Sequence, residues 1–215
     1  MKRFAVVLCG CGSLDGSEIQ EAVFTLLAIK KLGANYSIYA PDMDQPTVID
    51  HLSHQPMTQK RNMLVEAARI ARGQIAPLSQ FDEGKNDALI LPGGIGVTKN
   101  LCTYGALGAK MKVIPELERV LKAMHDARKP IGALCISPVI LAKVFPGAKI
   151  TLGQDEDAIK NVLTMGAVHE PTTHEEVVID EKNRLFTGPC YMLNANIVQV
   201  QQGAENVVRA MLESM

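Results

Sequence analysis

The sequence predicts a single α/β domain over residues 1–215. It has a doubly wound, mostly parallel sheet, helices on both faces and a small appended β-hairpin. Three observations carry this reading. Short apolar runs free of charge recur at Phe4–Cys9, Ala88–Leu91 and Ile131–Leu134, as in strands buried on both faces. Amphipathic helical stretches separate the strand-like runs, which implies parallel pairing through right-handed crossovers. Turn residues follow the strands directly, as Gly10-Cys-Gly-Ser-Leu-Asp-Gly16 after the first and Pro92-Gly-Gly94 after a later one. No low-complexity linker, composition break or internal repeat divides the chain.

Taken in order, Phe4–Cys9 is the first strand. Ser17 suits the cap of a helix over residues 18–32. Ile19, Ala22, Val23, Leu26 and Ile29 are expected on its buried face, and Gly33 stops it. Asn35–Ala40 is the second strand, closed by Pro41-Asp42. Residues 42–57 are polar and read as a surface excursion. A helix is expected over Thr58–Arg72, with Met63, Leu64, Ala67, Ala68 and Ile70 as its apolar stripe, and a short strand over Gln74–Leu78. Ala88–Leu91 is a buried strand, and residues 97–112 read as loop with a short helix. Ile114–Arg128 is helical, with Pro115 in its first turn and Leu117, Val120, Leu121 and Met124 on one face. Ile131–Leu134 is the next strand and Pro138–Val144 the helix after it. Ala148–Leu152 reads as a strand and Ala158–Met165 as a short helix. Val177–Ile179 and Arg184–Thr187 form the expected hairpin around Asp180-Glu-Lys-Asn183, and the last helix covers residues 193–212.

Composition excludes several function classes. Net charge is −1 with scattered Lys and Arg, aromatics are 4% and Trp is absent. A nucleic-acid surface and an anionic-membrane surface are therefore not indicated. No run reaches transmembrane length. Met1-Lys2-Arg3-Phe4 leads straight into a strand-like run without a cleavage site, and the five cysteines have no repeated spacing. A cytoplasmic protein with reduced thiols is the resulting expectation. Cys9-x-Cys11 lacks further ligands at zinc spacing, so neither a metal nor another cofactor is expected.

The most informative stretch is Pro130-Ile-Gly-Ala-Leu-Cys135-Ile-Ser-Pro138. A buried strand runs into a helix whose first turn accepts Pro138, and one cysteine stands on the sharp turn between them. The helix amides and dipole at that turn favour a thiolate, so Cys135 is expected to ionise more readily than a free thiol. The same residue also suits a buried core cysteine. Three strand ends place chemistry at the same sheet edge: Gly10–Ser17, Pro92-Gly-Gly94 and Cys135. The Pro-Gly-Gly turn leaves amides sterically open, and with the amide of Ile136 it supplies the two convergent donors of an oxyanion hole; alone it is a tight turn. Glu21 lies one turn into the first helix, at that same edge, where a carboxyl group can shuttle a proton. A solvated surface glutamate is the alternative, and Glu18 is an equally good candidate on residues alone.

Glu21, Pro92-Gly93-Gly94 and Gly132-Ala-Leu-Cys135-Ile-Ser-Pro138 together resemble the ThiJ/PfpI branch of the class I glutamine amidotransferase-like superfamily. Within it, Asp15-Gly-Ser-Glu-Ile19, Arg61-Asn62 with Glu66-Ala-Ala-Arg-Ile-Ala-Arg-Gly73, and Pro189-Cys-Tyr-Met192 resemble the ElbB group, named for enhancing lycopene biosynthesis, an isoprenoid phenotype. The resemblance covers nearly the whole chain. It implies a flavodoxin-like fold, a homodimer, and a cofactor-independent glyoxalase of the lyase class acting on a small aldehyde. It implies Cys135 as nucleophile, Glu21 as its hydrogen-bond partner and proton shuttle, and amides of Gly94 and Ile136 as oxyanion donors. Gly93 and His169 are the expected substrate contacts.

The chain departs from parts of the superfamily pattern. Ile136 follows the cysteine, so the Cys-His dyad of the protease-like members is absent. His174-Glu175-Glu176 imitates an amidotransferase His-x-Glu by letter. The histidine that related glyoxalases carry after the elbow helix corresponds to a place near Gly153 and is unfilled, which predicts a slow catalyst. Two rivals remain. Gly10-x-Gly12-x-x-x-Gly16 with Asp42 imitates a dinucleotide fingerprint, with one residue too many in its spacing. A non-enzymatic thiol sensor uses the same reactive cysteine. Arg61, Arg69 and Arg72 on one helix are candidate anion ligands or solvated-face residues.

Overall fold

The computed structural model describes residues 1–215. The first crossover consists of β1 (Arg3–Val7), α1 (Ile19–Lys31) and β2 (Asn35–Ala40), with β1 and β2 parallel from Arg3↔Asn35 to Val7↔Tyr39. The polar excursion carries one small hairpin, β3 (Val48–Ile49) with β4 (Pro56–Met57). Next come α2 (Met63–Ile70) and β5 (Ala76–Pro77). The middle of the chain runs β6 (Ala88–Leu91), α3 (Val97–Asn100), α4 (Tyr104–Leu107), α5 (Pro115–Asp126), β7 (Ile131–Leu134) and α6 (Pro138–Val144). The remainder is β8 (Lys149–Ile150), α7 (Glu156–Thr164), β9 (Val168–His169), β10 (Val178–Asp180), β11 (Leu185–Gly188) and α8 (Ile197–Glu213).

The main sheet has seven strands in the order β10-β11-β7-β6-β1-β2-β5, parallel except for β10. Its two faces are covered separately, as the period-2 alternation of β1 demands. Ala5 and Val7 point into one core with Leu117, Val120 and Leu121 of α5 and Ile140 of α6. Phe4 and Val6 point into the other, with Ala28 and Ile29 of α1, Ala67 of α2 and Val207 of α8. This is the flavodoxin-like, doubly wound architecture, and β1 and β6, central in the sheet, carry the loops that reach the candidate site. No helix is long and apolar enough to cross a membrane.

Three elements differ from expectation. The helix expected over Thr58–Arg72 begins only at Met63, because the Asn62 side chain accepts from the Val65 amide at 3.1 Å and caps it. The strand expected over Ala148–Leu152 is not in the main sheet. Its core, β8, pairs in parallel with β9 through Lys149↔Val168 and Ile150↔His169. The expected hairpin forms, with Val178↔Thr187 antiparallel, and β11 also pairs with β7 from Leu185↔Ile131 to Gly188↔Leu134. It therefore ends the main sheet and holds Gly188 beside the cysteine elbow.

The buried face of α1 is also rotated from the expected one. Ile19 and Val23 are each 44% exposed, whereas Glu21 is fully buried with Ala22, Thr25, Ala28 and Ile29. Thr25 donates its hydroxyl to the Glu21 carbonyl at 2.7 Å, which removes the polarity that would oppose its burial.

Candidate active site

Cys135 ends β7 in a left-handed conformation, φ 59°, which a non-glycine residue holds only at a cost of about 1–3 kcal/mol. The surroundings fix that turn. The Cys135 amide donates to Gly188 O at 3.0 Å, and the Ser137 hydroxyl donates to Pro92 O at 2.8 Å. The first bond ties the elbow to β11 and the second ties it to the turn after β6. The thiol is almost buried, at 7% residue exposure, and the amides of Gly94 and Ile136 lie close enough to its sulfur to favour the thiolate.

Glu21 reaches the same point from the first turn of α1. Its Oε2 accepts from the Gly93 amide at 2.8 Å and its Oε1 from the Tyr191 amide at 3.3 Å. The carboxyl group stands beside the Cys135 thiol: its Oε2 and the Cys135 Sγ lie 2.6 and 3.0 Å from the point that a Cβ on Gly93 would occupy. Glu18, the other candidate on sequence, is the N-cap of α1. Its side chain accepts from the Glu21 amide at 2.6 Å and its own amide donates to Gly93 O at 2.8 Å. Burial, then the nearby Glu18 charge, raises the Glu21 pKa to about 7 against the lowering effect of the two amides and the thiol. Burial and the adjacent Glu21 charge raise Cys135 well above the ordinary thiol value, more than the Gly94 and Ile136 amides lower it. The expectation of an easily ionised thiol is thus corrected. The helix N-terminus acts as expected, but desolvation and a neighbouring carboxylate outweigh it. Near neutral pH the thiol therefore keeps its proton while Glu21 titrates beside it.

The other sequence-predicted residues fall into place or away. Gly93 does not line the cavity over the thiol. Its amide is committed to Glu21 and its carbonyl to Glu18. His169 is also outside the cavity; its Nε2 accepts from the Leu152 amide at 3.1 Å and so fixes β9 against the chain after β8. Neither residue named from the sequence as a substrate contact is in the lining of this cavity. His174 Nε2 lies 3.2 Å from Asn194 O, also away from the thiol cavity. Gly153 sits beneath Leu193, where an added Cβ meets Leu193 Cδ2 at 2.8 Å, so no side chain replaces the missing histidine. Arg61 and Arg69 flank Glu66, Arg69 at 3.0 Å, and no residue of 42–73 lines the cavity.

The dinucleotide imitation has a different structural purpose. An added Cβ on Gly96 would lie 2.0 Å from Gly16 N, and one on Gly16 would lie 2.5 Å from Cys11 N. The glycines let the first loop and the turn after β6 pack backbone to backbone, which leaves no cradle for a pyrophosphate. Asp42 instead accepts from Asn62 Nδ2 at 2.8 Å. No group of three or more His, Cys, Asp or Glu side chains is arranged to hold a metal ion.

The sequence reading missed Tyr191 as the second amide on Glu21. Cys190 before it is also left-handed, φ 42°, at the end of β11. Pro189-Cys-Tyr-Met192 was the visible signal: a proline turn directly after a buried strand, at the edge where Cys135 lies. The cavity over the thiol has a volume of about 850 Å³, and Tyr104, Tyr191, Ile95 and Met192 are among its walls.

A cysteine elbow, a buried carboxyl group beside it and paired amides on the sulfur, on this sheet, define a ThiJ/PfpI-type protein of the class I glutamine amidotransferase-like superfamily. No family model matches the chain. Curated relatives do. It is 41% identical to the ES1 protein homolog, mitochondrial, of Rattus norvegicus, over 98% of this chain and 83% of that protein. It is also 41% identical to glutamine amidotransferase-like class 1 domain-containing protein 3, mitochondrial, of Homo sapiens, over 98% of this chain and 82% of that protein. Among solved structures, the isoprenoid biosynthesis protein with amidotransferase-like domain from Ehrlichia chaffeensis superposes with TM-score 0.93 at 34% identity, covering 99% of this chain and all of that one. Glyoxalase III from Candida albicans shares the fold, with TM-score 0.63 at 14% identity over 97% of each chain. The chain belongs to the ElbB–ES1 family of class I glutamine amidotransferase-like proteins. The mitochondrial names of the curated relatives overturn the expectation of a cytoplasmic protein.

Proposed function

We propose that the protein is a glutathione-independent glyoxalase that converts glyoxal to glycolate, with Cys135 as nucleophile and Glu21 as proton shuttle. The single observation that carries this reading is the fully buried Glu21 carboxyl group beside the Cys135 thiol, both packed against Gly93. The Cys135 proton passes to Glu21 as sulfur bonds to the aldehyde carbon, giving a hemithioacetal. Gly94 and Ile136 amides, adjacent to the sulfur, then serve as donors to the developing oxyanion. Glu21 hands that proton to the alkoxide and, a carboxylate again, removes the proton from that carbon and returns it to the second carbon through an enediolate. The first carbon is oxidised to a thioester and the second is reduced to an alcohol, so no external oxidant enters. Water breaks the C–S bond, releasing glycolate and restoring the thiol. Burial of the thiol works against sensing, which relies on an exposed cysteine.

The test is glyoxal consumption and glycolate formation followed by NMR with wild type, Cys135→Ala and Glu21→Gln. Cys135→Ala is expected to be inactive and Glu21→Gln to be slower by about 10²–10⁴, the usual worth of a general acid–base. Equal turnover by all three rejects the assignment.

A further inference from the structure

The site is much larger than glyoxal requires, and its charge is one-sided. The cavity over Cys135 has a volume of about 850 Å³, in the range that holds drug-sized ligands, so glyoxal fills only a small part of it. Its walls are apolar and aromatic, from Ile19, Ile95, Ile136, Met192, Tyr104 and Tyr191. A second lobe of about 380 Å³ shares Tyr104, Ile136, Asp155 and Met192 with the first and continues past them to Asp157 and Asn161. The titratable groups are Glu18, Asp155 and Asp157 besides the two tyrosines and Cys135, with the Glu21 carboxyl group directly behind the thiol. No lysine, arginine or histidine lines either lobe. Glu18 and Asp155 each accept one amide at a helix start, Glu21 N at 2.6 Å and Ala158 N at 2.8 Å, which occupies part of each carboxyl group, and burial raises the Glu18 pKa.

From this lining we propose that the physiological ligand at Cys135 is an electrophilic carbonyl compound with a bulky apolar or aromatic substituent, whose far end is neutral or cationic and never anionic. This rests on Cys135 as the attacking group. The apolar walls stabilise the substituent by excluding water. An anionic far end would be desolvated between Glu18 and Asp155 with no cation in the lining to meet it, the neighbouring Lys99 being turned to Leu14 O at 3.3 Å. Asp155 and Glu18 are the residues that set this selection.

The experiment uses three alkylating probes that differ only at the far end: phenacyl bromide, 4-carboxyphenacyl bromide and 4-(trimethylammonio)phenacyl bromide. Each forms a thioether at sulfur with loss of bromide. Modification of Cys135 is followed by peptide mass spectrometry, which separates it from Cys11, and each rate is divided by that of 2-mercaptoethanol. In wild type the carboxylate probe is expected to react about tenfold more slowly than the neutral one, a typical size for a charged cleft, and the cationic probe at least as fast. Asp155→Asn and Glu18→Gln, which keep the capping oxygens, are expected to shrink that penalty. A carboxylate probe as fast as the neutral one, or a penalty unchanged in both variants, overturns the proposal. Turnover of phenylglyoxal by wild type and Cys135→Ala is measured alongside. Charge selection in labelling without Cys135-dependent turnover leaves the ligand class standing and rejects the glyoxalase reading.

Discussion

Gly93 and Cys135 are so close that a Cβ on Gly93 would lie 2.4 Å from the Cβ of Cys135 and 2.6 Å from Oε2 of Glu21. Neither neighbour can retreat, since Cys135 is pinned through Gly188 and Glu21 through Tyr191. Gly93→Ala is therefore expected to lower stability by about 1–3 kcal/mol, the range for overpacking a filled interior. It is also expected to separate the thiol from its carboxyl partner and so to abolish glyoxal turnover. Urea unfolding with parallel turnover assays checks this. A variant with wild-type stability and rate would show that the turn is not held as described.

Buried Glu21 makes stability depend on pH. Its folded pKa of about 7 lies above the ordinary 4.5, so the folded state holds this proton more tightly than the unfolded chain. The contribution is complete below the unfolded value and is lost as pH rises through about 7. A displacement of this size is worth about 3 kcal/mol. The raised thiol pKa of Cys135 acts only at higher pH and does not enter this window. Denaturant unfolding between pH 5 and 8 is expected to show wild-type stability falling, with a flatter profile in Glu21→Gln. The comparison is of slopes, because the glutamine Nε2 cannot accept from both amides that the carboxylate serves. Parallel slopes for the two proteins would remove Glu21 as the source.

The strands were legible because each is short, apolar and bounded by turn residues. Ala88–Leu91 and Ile131–Leu134 have the bounds read from sequence, and Pro138–Val144 follows as expected. The site was legible where local geometry defines it, at the Cys135 elbow. Glu21 was harder. Helical periodicity places Ile19 and Val23 inward, whereas the site takes a carboxyl group into the interior and leaves those two at its rim and surface. Tertiary demand overrode the amphipathic pattern at the functional position. His169 lies away from the cavity lining for a related reason: β8 and β9 form a separate two-stranded sheet, and no periodicity announces which sheet a short strand joins.

The adjacent Glu21 and Cys135 also predict the pH–rate profile. The competent pair holds one proton, and at low pH it holds two. The kcat/KM for glyoxal is therefore expected to rise through pH about 7, where Glu21 titrates, and to stay level until the thiol titrates well above 9. In Glu21→Gln the limb near 7 is expected to vanish. The residual activity should then rise only as the thiol itself ionises, at a pH below that of wild type because the neighbouring charge is gone. A limb near 7 retained in Glu21→Gln would assign it to another group.

Asp15 holds the 42–57 excursion onto the glycine-rich loop. It is 1% exposed, and its Oδ2 accepts from the Ile49 amide at 2.7 Å. His51 completes the contact: its Nε2 accepts from the Leu14 amide at 3.2 Å and its Nδ1 lies 3.1 Å from Ile49 O, so the tautomer with the proton on Nδ1 satisfies both. The backbone carbonyl of Asp15 accepts from Gln45 Nε2 at 2.6 Å and Asn100 Nδ2 at 2.8 Å, bonds that do not depend on its side chain. Asp15→Ala is thus expected to leave the loop's path in place but orphan the Ile49 amide, at about 1–3 kcal/mol. The excursion, released at that point, should be cut faster by protease between residues 42 and 57. Limited proteolysis with mass mapping and a thermal melt measure both effects. Unchanged cleavage there would mean that Gln45 and His51 hold the segment without the carboxylate.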